Sequence, residues 1–160
     1  MQIYILRHGI AEDAPPGGSD AGRALTAEGK QKLRKVLECA RDAGVQPNVI
    51  ATSPLKRAVE TAEIAAEVLK VKRDLVQTAA LVPSGSPLRV WSELRSQKAD
   101  ELLISGHEPL LSKLVAFLLR CPALEVDFKK GALMRVDVDE NQAEPHGVLR
   151  WMLTVKLAGG

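Results

Sequence analysis

The stretch Gln2-Ile3-Tyr4-Ile5-Leu6-Arg7-His8-Gly9 decides how the chain is read. Its first five residues are mostly apolar and partly β-branched, which predicts a short buried strand. The strand stops at a cation, an imidazole and a glycine. In open α/β sheets, ligands bind just outside the carboxyl ends of the strands. Arg7 offers a planar fork of donors suited to a phosphate or a carboxylate. His8 offers a nucleophile, a base or a metal ligand, and Gly9 lets the backbone turn close to whatever is bound. Alone, Arg-His-Gly is equally compatible with a surface turn after an edge strand, so the rest of the chain must decide.

The next stretch, residues 14–22, is rich in proline and glycine and reads as a loop beside the strand exit. Thr26 is a suitable N-cap for a helix, with Glu28 in its first turn and Leu33, Val36, Leu37 and Ala40 at helical spacing up to Gly44. Asn48-Val49-Ile50-Ala51-Thr52 predicts a second strand. It runs into Ser53-Pro54, read as an N-cap and first helical residue, so a helix is expected directly off the strand end. Arg57 then stands about one turn in, able to reach back to the mouth.

Residues 75–78 predict a third strand, 80–87 a loop and 88–95 a short helix. Glu101-Leu102-Leu103-Ile104-Ser105 is a further buried strand that ends at Gly106-His107-Glu108-Pro109, and Pro109 opens an apolar helix. In the tail, 126–128, 132–138 and 148–155 read as strands, with turn residues at 139–141 and 145–147. Alternating strands and helices followed by consecutive strands predict a three-layer α/β/α sandwich. Its sheet should be mostly parallel with an antiparallel edge.

At 160 residues the chain is expected to form a single domain, residues 1–160. A net charge of +2 and 3% aromatic residues give no basis for nucleic-acid binding. No apolar run approaches the ~18 residues of a membrane span, and Arg7 interrupts the N-terminal run, so neither a membrane segment nor a signal peptide is expected. Cys39 and Cys121 lack metal-ligand spacing and read as buried thiols in a reducing compartment.

Three strand exits thus carry unusual residues: Arg7-His8, the turn from Ser53 to Arg57, and His107. Two of the chain's three histidines stand there. In a parallel sheet these exits share one edge. Two arginines and two imidazoles around one point make a pocket for a dianionic phosphate, and positioning and charge stabilisation are most of what phosphoryl transfer requires. No Walker loop is present, which excludes a P-loop NTPase. Zinc held by His8 and His107 would need a third ligand, and His146 and Cys39 are poorly placed to supply it. His146, Lys129-Lys130 and residues 70–73 read as solvated, although a basic rim near the site could attract an acidic protein. Asp20 and Arg23 are assigned to shaping the site loop.

In this order, Arg7-His8-Gly9, Ser53-x-x-x-Arg57-Ala58-x-x-Thr61-Ala62 and Gly106-His107 resemble the histidine phosphatase superfamily of phosphoglycerate mutases and acid phosphatases. Arg23-x-Leu25-Thr26-x-x-Gly29 and Gly106-His107-Glu108-Pro109 are similar to its short, SixA-type phosphohistidine phosphatases. The resemblance covers essentially the whole chain. It implies that His8 is phosphorylated during turnover and that Arg7, Arg57 and His107 complete a substrate-binding and catalytic phosphate pocket. It implies no cofactor and no metal.

The sequence departs from the larger members of that family at two points. They carry a carboxylic acid after the third strand, whereas residues 78–87 contain none. Glu93 and Glu108 are possible substitutes, although neither matches the motif, and Glu108 is expected to face solvent or to contribute to the start of the following helix. Larger members also insert a cap, for which the stretch between Arg57 and His107 leaves no room. The expected function is therefore a cytoplasmic, monomeric, metal-independent protein phosphohistidine phosphatase. Its partner would be a phosphotransfer or phosphocarrier domain of a signalling or sugar-uptake relay, as the resemblance implies. The alternatives are a small-molecule phosphomonoesterase and a phosphohistidine-binding module without turnover.

Overall fold

A computed structural model describes residues 1–73 and 75–160. Among the described residues there are six strands and four α-helices. The strands are β1 (Gln2–Arg7), β2 (Val49–Thr52), β3 (Val76–Gln77), β4 (Glu101–Gly106), β5 (Leu133–Val138) and β6 (Gly147–Leu153). The helices are α1 (Ala27–Asp42), α2 (Lys56–Val68), α3 (Pro87–Ser96) and α4 (Leu110–Leu118). The sheet order is β3-β2-β4-β1-β5-β6. β3, β2, β4 and β1 run parallel, and β5 and β6 add on antiparallel, as the segment pattern predicts.

Side chains alternate across the sheet, so each strand feeds two cores. Ile3 and Ile5 of β1 join Leu102 and Ile104 of β4 under α3 and α4. Tyr4 and Leu6 join Ile50 and Leu103 under α1 and α2. Both faces of β1 and β4 are covered, which is why these strands read as unbroken apolar runs.

α1 begins as expected, with the Thr26 side chain accepting from the Gly29 N–H at 2.8 Å. Gly29 is required for a second reason: a Cβ there would lie 2.2 Å from the Ile10 carbonyl oxygen. The helix can therefore press directly against the chain leaving β1.

Three expectations need correction. Residues 126–128 are not a strand. Their carbonyls are taken elsewhere, Phe128 O by the Arg7 guanidinium at 2.6 Å and Val126 O by the Phe128 N–H at 2.9 Å in a tight turn, leaving no ladder to join. Cys39 and Cys121 are exposed, not buried. Cys39 lies opposite the Leu33–Val36–Leu37–Ala40 stripe that α1 buries. Finally, α2 starts at Lys56 rather than at Ser53-Pro54. Smaller differences are 3-10 turns at Asp20–Gly22 and Ala79–Leu81, inside stretches read as loop or its border.

Candidate active site

Strand register delivers the site. β1 pairs with β4 so that Arg7 faces Gly106, and β2 pairs with β4 so that Thr52 faces Ser105. The ladder continues past both strand ends: the His8 N–H donates to Gly106 O at 3.1 Å and the Ser53 N–H to Ser105 O at 3.0 Å. His8, His107 and Ser53 therefore leave neighbouring strands at one level. The two imidazole centroids lie 5.1 Å apart with their planes inclined at 50°.

The delayed start of α2 has a chemical reason. Ser53 does not cap the helix. Its hydroxyl accepts from the Leu55 N–H at 3.3 Å and bonds His107 Nε2 at 2.8 Å. The rest of the Ser-x-x-x-Arg-Ala-x-x-Thr pattern is a set of ties. The Ser105 hydroxyl donates to Ala58 O at 2.9 Å, clamping α2 to β4. The Thr61 hydroxyl donates to Arg57 O at 2.7 Å and accepts from the Gly9 N–H at 3.2 Å, clamping α2 to the exit of β1. These buried polar groups are all satisfied, so they set geometry without leaving orphaned atoms. Arg57 is thereby placed in the first turn of α2 and is only 5% exposed.

The hydrogen bonds fix what each imidazole can do. His8 Nδ1 lies 2.7 Å from the Gly9 carbonyl oxygen. A carbonyl can only accept, so Nδ1 carries the proton and Nε2 presents a free lone pair. His107 Nε2 faces the Ser53 hydroxyl, and its Nδ1 has no partner. Arg7 Nε and Arg57 Nε are likewise buried without a partner. Among the described residues these three nitrogens are the only buried side-chain polar atoms left unpaired. An unpaired buried donor costs roughly 1–3 kcal/mol. All three belong to side chains grouped at the two imidazoles, since Arg7 and Arg57 each lie close enough to His8 and His107 to act on their charge.

Asp20 completes the frame. Its main-chain oxygen and its carboxylate accept from Arg57 Nη1 and Nη2 at 3.0 and 3.1 Å, and Arg23 holds the same carboxylate at 3.1 Å. The loop-shaping role assigned to Asp20 and Arg23 is what their contacts show. The direct grip of Asp20 on Arg57, and of Ser53 on His107, was not read from the sequence. Glu108 accepts from the Ser112 N–H at 2.9 Å, at the start of α4 as expected. Glu93 accepts from the Thr78 hydroxyl and is paired with Arg89. No cluster of three or more metal-ligating side chains occurs among the described residues, so the third ligand of the zinc alternative is not found.

Electrostatics favour neutral rings. Burial, then the nearby Arg57, Arg7 and Lys130, pushes His8 from its ordinary 6.5 down to about 4, against the opposing effect of the Gly9 bond. Burial, then His8 and Arg57, pushes His107 down to about 3. Asp20 is held below the usual carboxylate range, chiefly by Arg23 and then by Arg57. At neutral pH both rings are thus neutral. Between 6.5 and these lowered values the unfolded chain binds protons that the native pocket refuses. The contribution of each ring is fully present above 6.5 and is lost as pH falls through its folded value. Taking the wild type from pH 7 to pH 5 should cost about 2 kcal/mol per histidine. Urea unfolding at both pH values checks this. His107→Asn should lose about 2 kcal/mol less than wild type over the same interval, and equal losses would contradict the neutral-ring assignment.

Comparison with known proteins gives one consistent result. The profile described as the histidine phosphatase superfamily (branch 1) matches residues 3–82, which include Arg7, His8 and Arg57. An uncharacterized protein of Picosynechococcus is 36% identical over 117 residues, covering 71% of this chain and 70% of that one. Phosphohistidine phosphatase SixA of Escherichia coli is 28% identical over 158 residues, covering 96% and 94% of the two chains. The solved structure of the protein histidine phosphatase SixA complexed with tungstate superposes with a TM-score of 0.87 at 28% identity, covering 98% of each chain.

Proposed function

The chain belongs to the histidine phosphatase superfamily and is a phosphatase, and we propose that it removes the phosphoryl group from phosphohistidine in proteins through a phosphorylated His8. The observation that carries this reading is the grouping of three unpaired buried nitrogens, from Arg7, Arg57 and His107, with a histidine whose Nε2 is held free. That a protein histidine phosphatase of 0.87 TM-score takes tungstate, a tetrahedral oxyanion, agrees with it.

In the first step His8 Nε2 attacks phosphorus in line, and the bond from phosphorus to the substrate imidazole breaks. The leaving imidazole departs neutral when its other nitrogen is already protonated. Arg7, Arg57 and His107 Nδ1 donate to the equatorial oxygens, where charge is spread in the transition state. Water then attacks the phosphorus on His8, inorganic phosphate leaves, and the free imidazole is restored. No metal ion or cofactor enters these steps.

The substrate class follows from the carboxylates. An alkoxide leaving group needs a proton in the transition state, and a positioned acid contributes about 10²–10⁴-fold. Asp20, the carboxylate bonded to Arg57, is held ionised by Arg23 and Arg57. Glu108 and Glu93 are occupied at α4 and at Thr78. A phosphorylated imidazole does not need such an acid. The reading takes residues 1–160 as one cytoplasmic domain without a cap, so that a folded phosphotransfer or phosphocarrier domain can reach the pocket.

A phosphohistidine protein should therefore exceed simple alkyl phosphates in kcat/KM by about 10²-fold or more. An aryl phosphate should fall between them, and a chelator should leave the rates unchanged. Alkyl phosphates turned over as fast as the phosphorylated protein would contradict the proposal and favour a small-molecule phosphomonoesterase.

A further inference from the structure

A groove of about 640 Å³ begins at Gly9 and Ile10, the two residues that follow His8. Its far walls are α1, the segment around residues 127–131 and the C-terminal turn around 154–160. The walls are fixed. The Gly131 N–H is shared by Arg7 O and His8 O, both at 3.1 Å. Lys35 Nζ donates to Gly159 O at 3.0 Å, tying the C-terminal turn to α1. The reaction needs none of this space, because a phosphoryl group is held by the pocket residues alone.

The groove has a basic lining in a chain whose net charge is only +2. Lys32, Lys129, Lys130 and Lys156 line it, and Asp127 is the one acidic side chain among its lining residues. Lys32 pairs with Glu28 at 2.6 Å and Lys129 with Asp127 at 3.0 Å. Lys130 and Lys156 have no carboxylate within ion-pair distance among the described residues, and Lys130 is close enough to His8 to act on its charge. Between the lysines the floor is apolar, made by Ile10, Leu33 and Val155. No aromatic side chain lines it, so it has no surface for stacking bases.

We propose that this groove docks an acidic segment of the protein substrate, with carboxylates against Lys32, Lys129, Lys130 and Lys156 while the phosphorylated imidazole enters the pocket at His8. This rests on the phosphohistidine reading above and extends it to the chemistry flanking the scissile bond. Charge complementarity of this kind acts mainly on encounter and register and is screened by salt.

The test uses two peptides of identical length around one histidine, one with Asp and Glu flanks and one with Asn and Gln, each phosphorylated with phosphoramidate. At low ionic strength the acidic peptide should be favoured by about 10-fold in kcat/KM, and the advantage should shrink with added salt. The double variant Lys32→Glu, Lys156→Glu should abolish that preference. It should leave turnover of p-nitrophenyl phosphate, too small to reach the groove, at the wild-type rate. Equal turnover of both peptides would overturn the docking proposal and leave the site reading intact. If neither peptide is hydrolysed while the aryl phosphate is, the phosphohistidine reading fails instead. Docking then stands or falls on a binding arm that needs no turnover. The unphosphorylated acidic peptide should shift the amide resonances of Gly9, Gly131 and Val155, and the neutral peptide should not. Absence of those shifts, or tighter binding of a single-stranded 12-nucleotide DNA, would overturn it.

Discussion

Replacing His8 with alanine is expected to lower kcat by at least about 10⁴-fold on every substrate, because it deletes the atom that forms the new bond to phosphorus. The loss should fall on kcat rather than KM, since the oxyanion donors Arg7, Arg57 and His107 remain. The variant should stay folded. The His8 side chain makes one hydrogen bond, to its neighbour's carbonyl, and carries no ion pair. Steady-state kinetics with an aryl phosphate, alongside circular dichroism, check both parts. A His8→Ala enzyme within ten-fold of wild type, with intact structure, would remove His8 from the chemistry.

The second large effect is expected at Arg57. Arg57→Ala should lower kcat/KM by about 10²–10³-fold, the usual cost of removing one preorganised donor from a developing charge. Arg57→Lys should recover little. The guanidinium spends Nη1 and Nη2 on Asp20 and leaves Nε without a partner, and one ammonium cannot reproduce that fork. Asp20 is exposed, so losing its partner strands no buried charge and stability should change little. Kinetics and urea unfolding on the same preparations separate the outcomes. A silent Arg57→Ala in kinetics combined with a large loss of stability would make the residue structural.

Much of this site was legible in the sequence because each part is announced by a local rule. An apolar run marks a strand, and residues placed at its exit share an edge once the strands are parallel. Register does the rest, pairing Arg7 with Gly106 and Thr52 with Ser105. What was not legible depends on partners far away in sequence. Ser53-Pro54 has the local chemistry of a helix start, but Ser53 is claimed by the imidazole of His107, 54 residues on. Residues 126–128 look like a strand until Arg7, 121 positions away, takes the Phe128 carbonyl and the segment turns on itself. Cys39 is a different kind of miss, since the buried stripe of α1 already put it on the outer face.

The central claim is that phosphorus is bonded to Nε2 of His8 during turnover, the nitrogen left free by the bond from Nδ1 to Gly9. Rapid quench into base with a ³²P-labelled phosphoryl donor, followed by proteolysis and mass spectrometry, tests it most directly. The account predicts an acid-labile, base-stable label on the peptide containing His8, attached at Nε2, that forms and decays within a single turnover. Label on His107 alone, or turnover with no labelled enzyme at any quench time, would contradict it.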